Sequence, residues 1–170
     1  MIPKILLQTS KTKLDQYALD ITKSFIDDSW TYMHFVDSEI IQFFEQNPLK
    51  EFPDIVDVFN NIQKGEYKSD LFRYYYLFIN GGVYIDSDFE LTKPLDKIVE
   101  EYNLIVVESG CELATTINCL FNGFLGCEPN NKIIYEALVD IYNTFKNKKQ
   151  PTYYEQFCVN LYNITDIHKN

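Results

Sequence analysis

Arginine is nearly absent from this chain. Among 170 residues only Arg73 carries a guanidinium, and lysines supply the other cations. Basic side chains are outnumbered, 15 against 25 acidic ones, for a formal net charge of −10. That balance lacks the broad basic face by which proteins hold nucleic acid or anionic lipid, so both partners are set aside. No apolar run approaches the roughly 18 residues of a membrane span. The opening Met1-Ile2-Pro3-Lys4-Ile5-Leu6-Leu7-Gln8 is neither a secretory signal nor an anchor, and the expected location is cytoplasmic. Cysteine is sparse: Cys111, Cys119, Cys127 and Cys158 form no Cys-x-x-Cys pair, and the two histidines do not stand at zinc spacing. They read as four free thiols of a reducing compartment. The triplet Asn163-Ile164-Thr165 fits an N-glycosylation acceptor only in a secretory context, which this start does not supply.

What remains can fold. The chain is 46% apolar and 24% charged, enough to bury a core, and its length is that of one domain, expected over 1–170 with 151–170 poorly patterned. Short strands alternate with helices, which predicts an α/β fold. Strands are expected over 2–8, 30–36, 83–91 and 104–108, with 119–126 as strand or loop. Helices are expected over 13–26, 39–46 with Ser38 as its cap, 68–80, 95–102 and 131–146. The stretch 53–62 is ambiguous, and beyond Pro151 no element can be assigned.

Residues 68–88 carry most of the chemistry. On a helix, Ser69, Asp70 and Arg73 share one face by spacings of three and four, on a helix that is otherwise apolar almost all round. A buried Asp and Arg are costly unless paired or bound to something. A structural ion pair explains them as well as a ligand does. Asn80-Gly81-Gly82 ends the helix, and a strand then places Tyr84, Asp86, Asp88 and Glu90 on one face. Two carboxylates at i and i+2 can converge on one hard cation, Mn²⁺ or Mg²⁺. A merely solvated edge strand remains the alternative. Such a cation is also the device by which an acidic chain could hold a diphosphate.

Ser69-Asp70-Leu71-Phe72-Arg73-Tyr74, followed by Asn80-Gly81-Gly82-Val83-Tyr84-Ile85-Asp86-Ser87-Asp88, resembles the sugar-binding region of DXD-containing glycosyltransferases. The nearest likeness is to family 32, with fungal outer-chain mannosyltransferases and capsule enzymes, and more distantly to glucosylating clostridial toxins. Ile2-Pro3-Lys4-Ile5-Leu6-Leu7-Gln8-Thr9 resembles the family's opening strand, with Leu7 for its His and Ser10 for its Trp. Thr92 to Asp96 and, loosely, Asn122 to Pro129 resemble later segments. The resemblance implies a GT-A fold with a mainly parallel sheet flanked by helices. It also implies retaining transfer of a hexose from a nucleotide-sugar donor to a glycan or protein acceptor. By matched position Asp88 is the metal ligand, with Asp86 beside it reaching ribose or sugar. Asp70 and Arg73 hold the donor sugar next to Ser69. Tyr84 lies near the nucleotide, Gln8 and Thr9 end against the base, and Gly82 counts with the donor-binding residues. Asp166 and His168 are candidates for a late metal or phosphate contact, and His34 reads as structural. Two further readings compete. One is a sugar-nucleotide-binding module without turnover. The other is a phosphohydrolase with Asp86 as nucleophile and Asp88 as general acid.

Overall fold

The structure, a computed structural model, describes residues 1–109 and 118–169. Five strands make one sheet: β1 (Ile5–Thr9), β2 (Thr31–Phe35), β3 (Gly82–Ile85), β4 (Leu104–Ser109) and β5 (Cys119–Cys127), in the order β2-β1-β3-β5-β4. Seven helices accompany it among the described residues: α1 (Gln16–Lys23), α2 (Asp37–Gln46), α3 (Ile55–Asn61), α4 (Gly65–Asn80), α5 (Asp96–Val99), α6 (Lys132–Lys146) and α7 (Gln156–Ile167). The α/β expectation holds, but the sheet is mixed rather than mainly parallel. β1 is parallel to β2 and β3, whereas β5 is antiparallel to β3 and β4. Fewer than a dozen residues separate β4 from β5, too few for the crossover that a parallel pair needs.

Strand alternation builds two cores. Leu7, Tyr84 and Leu125 face the larger one, where Phe44 of α2, Phe59 of α3, Leu71 and Tyr75 of α4, Leu138 of α6 and Leu161 of α7 meet. Leu6, Val83, Ile85 and Phe124 face a smaller core with Trp30, Leu95 and Val99. α4 lies at the centre of the larger core, buried at every position from Asp70 to Leu77. The Phe44 and Tyr75 rings meet edge-on at 4.8 Å, a geometry worth about 1 kcal/mol beyond burial.

Several boundaries differ from the sequence expectation for local reasons. α1 starts three residues late because the Asp15 carboxylate accepts from the Ala18 amide at 2.8 Å and sets the entry there. Ser38 lies inside α2 and does not cap it; the Glu39 carboxylate instead accepts from the Val36 amide at 3.0 Å. The ambiguous stretch forms α3, and the expected helix over 95–102 contracts to α5. The unassigned tail forms α7. The strand expected to reach Leu91 stops at Ile85, since the Asp86 carbonyl accepts from the Phe89 amide at 3.1 Å and closes a turn. Cys127 and Cys158 are free thiols, but Cys119 is disulfide-bonded, so four free cysteines is not the state of the chain. Cys111 lies outside the described residues. No helix among the described residues is long and apolar enough to cross a membrane.

Candidate active site

The site forms where β1 and β3 end and α4 begins, at the carboxyl ends of parallel strands, the usual place for a ligand in an open α/β sheet. Arg73 is its hub and is 3% exposed. Its Nη2 lies 3.2 Å from Asp86 Oδ1 and 3.4 Å from Asp70 Oδ1. Its Nε donates to the Ser69 carbonyl at 3.2 Å, and its Nη1 to the Asn122 carbonyl. The guanidinium stacks over the Tyr84 ring at 4.1 Å. One planar fork thus serves two carboxylates, two carbonyls and a ring, which an ammonium could not do.

A chain of hydroxyls continues from this hub. Tyr84 Oη donates to Asp86 Oδ1 at 2.8 Å and sits 3.0 Å from Thr9 Oγ1, which donates to Ser69 Oγ at 3.0 Å. On the other side, Asn122 Nδ2 donates to Asp70 Oδ1 at 3.3 Å while its Oδ1 accepts from Tyr74 Oη at 2.9 Å. Burial pushes the Asp70 carboxyl up to about 6, opposed by Arg73 and reinforced by the charge of Asp86. Burial likewise raises the Tyr84 and Tyr74 hydroxyls, so both remain protonated donors.

Two cavities flank Ser69. One, about 310 Å³, is lined by Thr9, Ser10, Lys11, Asp37 and Lys68, with Lys68 paired to Asp37 at 2.7 Å. The other, about 350 Å³, lies over Asp70, Arg73 and Asp86 and is walled by Phe121, Asn122 and the first turn of α7.

Six of the nine sequence-nominated residues converge here: Thr9, Ser69, Asp70, Arg73, Tyr84 and Asp86. Gln8 does not share their face, because alternation along β1 turns it toward α1. It is 1% exposed; its Oε1 accepts from Tyr32 Oη at 2.8 Å and Thr22 Oγ1 at 3.2 Å, and its Nε2 reaches the Asp86 carbonyl at 3.4 Å. It braces the turn from beneath. Gly82 stands at the far end of β3, where φ is +107° and a Cβ would lie 2.8 Å from the Ile5 carbonyl oxygen. Its glycine serves the close approach of β1 and β3. Asp88 is exposed on the turn after β3, not on a strand face with Asp86. Among the described residues no three His, Cys, Asp or Glu side chains cluster to hold a metal.

Asp86 Oδ1 is already engaged by Arg73 and Tyr84, whereas the Asp88 carboxylate is exposed on the turn. One or two carboxylates completed by substrate phosphates is a set that Mg²⁺ accepts, so these residues fit a cation that arrives with a diphosphate. His168 is removed from the site: its Nε2 lies 3.0 Å from Glu136 Oε1 of α6. Asp166, about 12 Å along α7 from Cys158 at 1.5 Å per residue, is equally remote. His34 contacts Ser10 Oγ at 2.7 Å, and burial lowers its pKa, as suits a structural histidine.

Sequence reasoning missed Gly123, where a Cβ would collide with Asp86 Oδ2 and the Phe121 ring. It also missed the α7 wall. Asn122 was hinted at only as the start of a loosely familiar segment.

The site is thus a buried arginine–carboxylate hub beneath a cavity, with an exposed carboxylate on the next turn. The model of the family described as "Glycosyltransferase sugar-binding region containing DXD motif" matches residues 12–105, more than half the chain, and the chain belongs to that family. It is 31% identical over 111 residues to the initiation-specific alpha-1,6-mannosyltransferase of Candida albicans, covering 61% of this chain and 29% of that protein. It is 24% identical over 112 residues to the inositol phosphoceramide mannosyltransferase 1 of Schizosaccharomyces pombe, covering 66% and 32%. The chain therefore spans about a third of the length of these curated relatives. Among solved structures it resembles the PaToxG glycosyltransferase, with a TM-score of 0.60 and 14% identity over 99% of this chain and 74% of that one, a likeness of fold.

Proposed function

We propose that the chain is a metal-dependent glycosyltransferase that moves a hexose from a nucleotide-sugar donor to an acceptor hydroxyl, with retention at the anomeric carbon. The observation that carries this reading is the Arg73 hub, in which Asp70 and Asp86 are held in one buried network under an open cavity. The donor sugar takes the side of that cavity floored by Asp70 and Asp86, and its hydroxyls donate to both. The nucleoside lies in the neighbouring cavity by Thr9, with Ser69 between them. Asp88, together with the diphosphate, would hold Mn²⁺ or Mg²⁺, and such a cation would supply Lewis-acid stabilisation of the departing charge.

The protein's own residues orient the sugar. Arg73 and Tyr84 fix Asp86 Oδ1, and Gln8 pins the backbone of the same residue.

Calorimetric titration with UDP-glucose, UDP-galactose and GDP-mannose, with Mn²⁺ and with chelator, tests the reading. One donor is expected to bind only with metal. Asp88→Asn, at an exposed position, should abolish that binding and leave the melting temperature within about 2 °C. Metal-independent binding, or unchanged affinity in the variant, would overturn the site assignment.

A further inference from the structure

The cavity over Asp70 and Arg73 has a wall that the hub network does not use. Tyr154 and Glu155, at the start of α7, line it together with Phe121. Tyr154 is 62% exposed although it borders a cavity, and no ring or cation packs on it among the described residues. It nevertheless lies close to the hub. Partial burial raises its hydroxyl pKa first, and the charges of Glu66, Asp70 and Asp86 add to that. Beside it, Glu155 occupies the N-cap position of α7 without making a capping bond. Its Oε2 is buried with no hydrogen-bond partner among the described residues. A carboxylate oxygen in that state is costly until a donor reaches the group.

The charge of the cavity is one-sided. Glu66, Asp70, Asp86 and Glu155 border it, against Arg73 as the cation among its described lining residues. The charge of Arg73 is already matched by Asp70 and Asp86, and its nitrogens also serve two carbonyls. Glu66 has Lys64 at 3.8 Å outside the cavity. An entering anion finds no free cation here and meets several carboxylates in a poorly solvated space. A neutral polyol meets acceptors for its hydroxyls and an aromatic face for its C–H side, the pairing an amphipathic ring favours.

We infer that Tyr154 and Glu155, where the chain enters α7, form the acceptor wall of the cavity, and that the acceptor is a neutral carbohydrate hydroxyl whose ring rests on Tyr154. The inference depends on the transferase reading above and specifies its second substrate. In the transfer, the acceptor oxygen bonds to the anomeric carbon as the bond from that carbon to the diphosphate oxygen breaks. The electron pair stays on the diphosphate, and the hydroxyl proton passes to it. Glu155 accepts a hydrogen bond from a neighbouring hydroxyl of the acceptor and acts as a positioning residue.

The test uses saturation-transfer NMR and titration with the methyl α-glycosides of mannose, glucose, galactose and glucuronic acid. Each is added to protein holding UDP or GDP with Mg²⁺, in wild type, Tyr154→Ala, Tyr154→Phe and Glu155→Gln. A neutral glycoside should bind the wild type, lose at least tenfold in Tyr154→Ala, and stay within twofold in Tyr154→Phe, where the ring remains. The glucuronoside should bind at least tenfold more weakly than the glucoside, with the gap narrowing in Glu155→Gln. Nucleotide affinity should not change in Tyr154→Ala. Unchanged glycoside binding in that variant, equal binding of glucuronoside and glucoside, or a parallel loss of nucleotide affinity would each overturn the inference. A wild type that binds nucleotide but no glycoside would overturn it alone. One that binds no nucleotide would remove the transferase reading beneath it.

Discussion

Asp70 offers a test in which one titration pulls stability and binding in opposite directions. Its carboxyl is pushed up to about 6 in the fold, chiefly by burial, from its ordinary value of 3.8. Because the folded pKa is raised, the folded state binds the proton more tightly. The stabilisation is full below pH about 3.8 and is lost as pH rises through about 6. Between pH 5 and pH 8 the loss is about 1.4 kcal/mol, which for a chain of this size moves the melting temperature by about 3–6 °C. Donor binding should run the other way, because an ionised Asp70 accepts sugar hydroxyls on both oxygens and a protonated one does not. At pH 5 about a tenth of the group is ionised, so donor affinity should fall about tenfold from its value at pH 7.5.

Calorimetric unfolding and donor titration at pH 5, 6, 7 and 8, in wild type and in Asp70→Asn, separate this group from the others that titrate. The variant should lose the stability slope that Asp70 adds and show weak, pH-independent donor affinity. It keeps Asp86 as counter-charge for Arg73, so it should still fold. Identical stability slopes in the two proteins, or a wild-type affinity flat from pH 5 to 7.5, would refute the reasoning.

Three further outcomes follow from the same geometry. Arg73→Lys should cost about 3 kcal/mol in denaturant unfolding, since an ammonium cannot replace the contacts of the fork and leaves buried partners unpaired. It should also flatten the preference among donor sugars in the titration panel. Gly123→Ala should displace the Asp86 carboxylate and lower donor affinity at least tenfold, at a stability cost of about 1–3 kcal/mol; near-wild-type affinity would show that Asp86 tolerates the shift. His168→Ala should leave donor affinity unchanged and lower stability by less than about 1 kcal/mol, because its contact is with Glu136 on α6. A large loss of affinity there would restore the late-contact role.

The parts of this site that could be read in advance are those whose geometry is local. Spacings of three and four on a helix put Ser69, Asp70 and Arg73 on one face whatever surrounds them. An all-round apolar helix must be buried, and paired glycines after it make an exit. The lone arginine marked the hub for the same reason: its fork has no substitute. Strand alternation was as informative where a strand existed, correctly joining Tyr84 to Asp86. It misled where the strand ended early, since the turn that separates Asp88 from Asp86 depends on a backbone hydrogen bond that composition does not announce.

The rest was a matter of long-range pairing. Asn122 and Gly123 reach the hub because β5 lies antiparallel beside β3, where the Gly123 carbonyl accepts from the Asp86 amide at 2.9 Å. Gln8 was nominated with its neighbour Thr9, yet the sheet has helices on both faces and sends the two to opposite sides. The α7 wall comes from a tail with no clear periodicity, folded because α6 and β5 offered it a surface to cover. By itself, then, the chain determined the buried helix, its charged face and the turn that follows. Which strand, glycine and helix close around them was decided only when the sheet assembled, because register and strand order depend on contacts between residues far apart in sequence, and no local spacing encodes those.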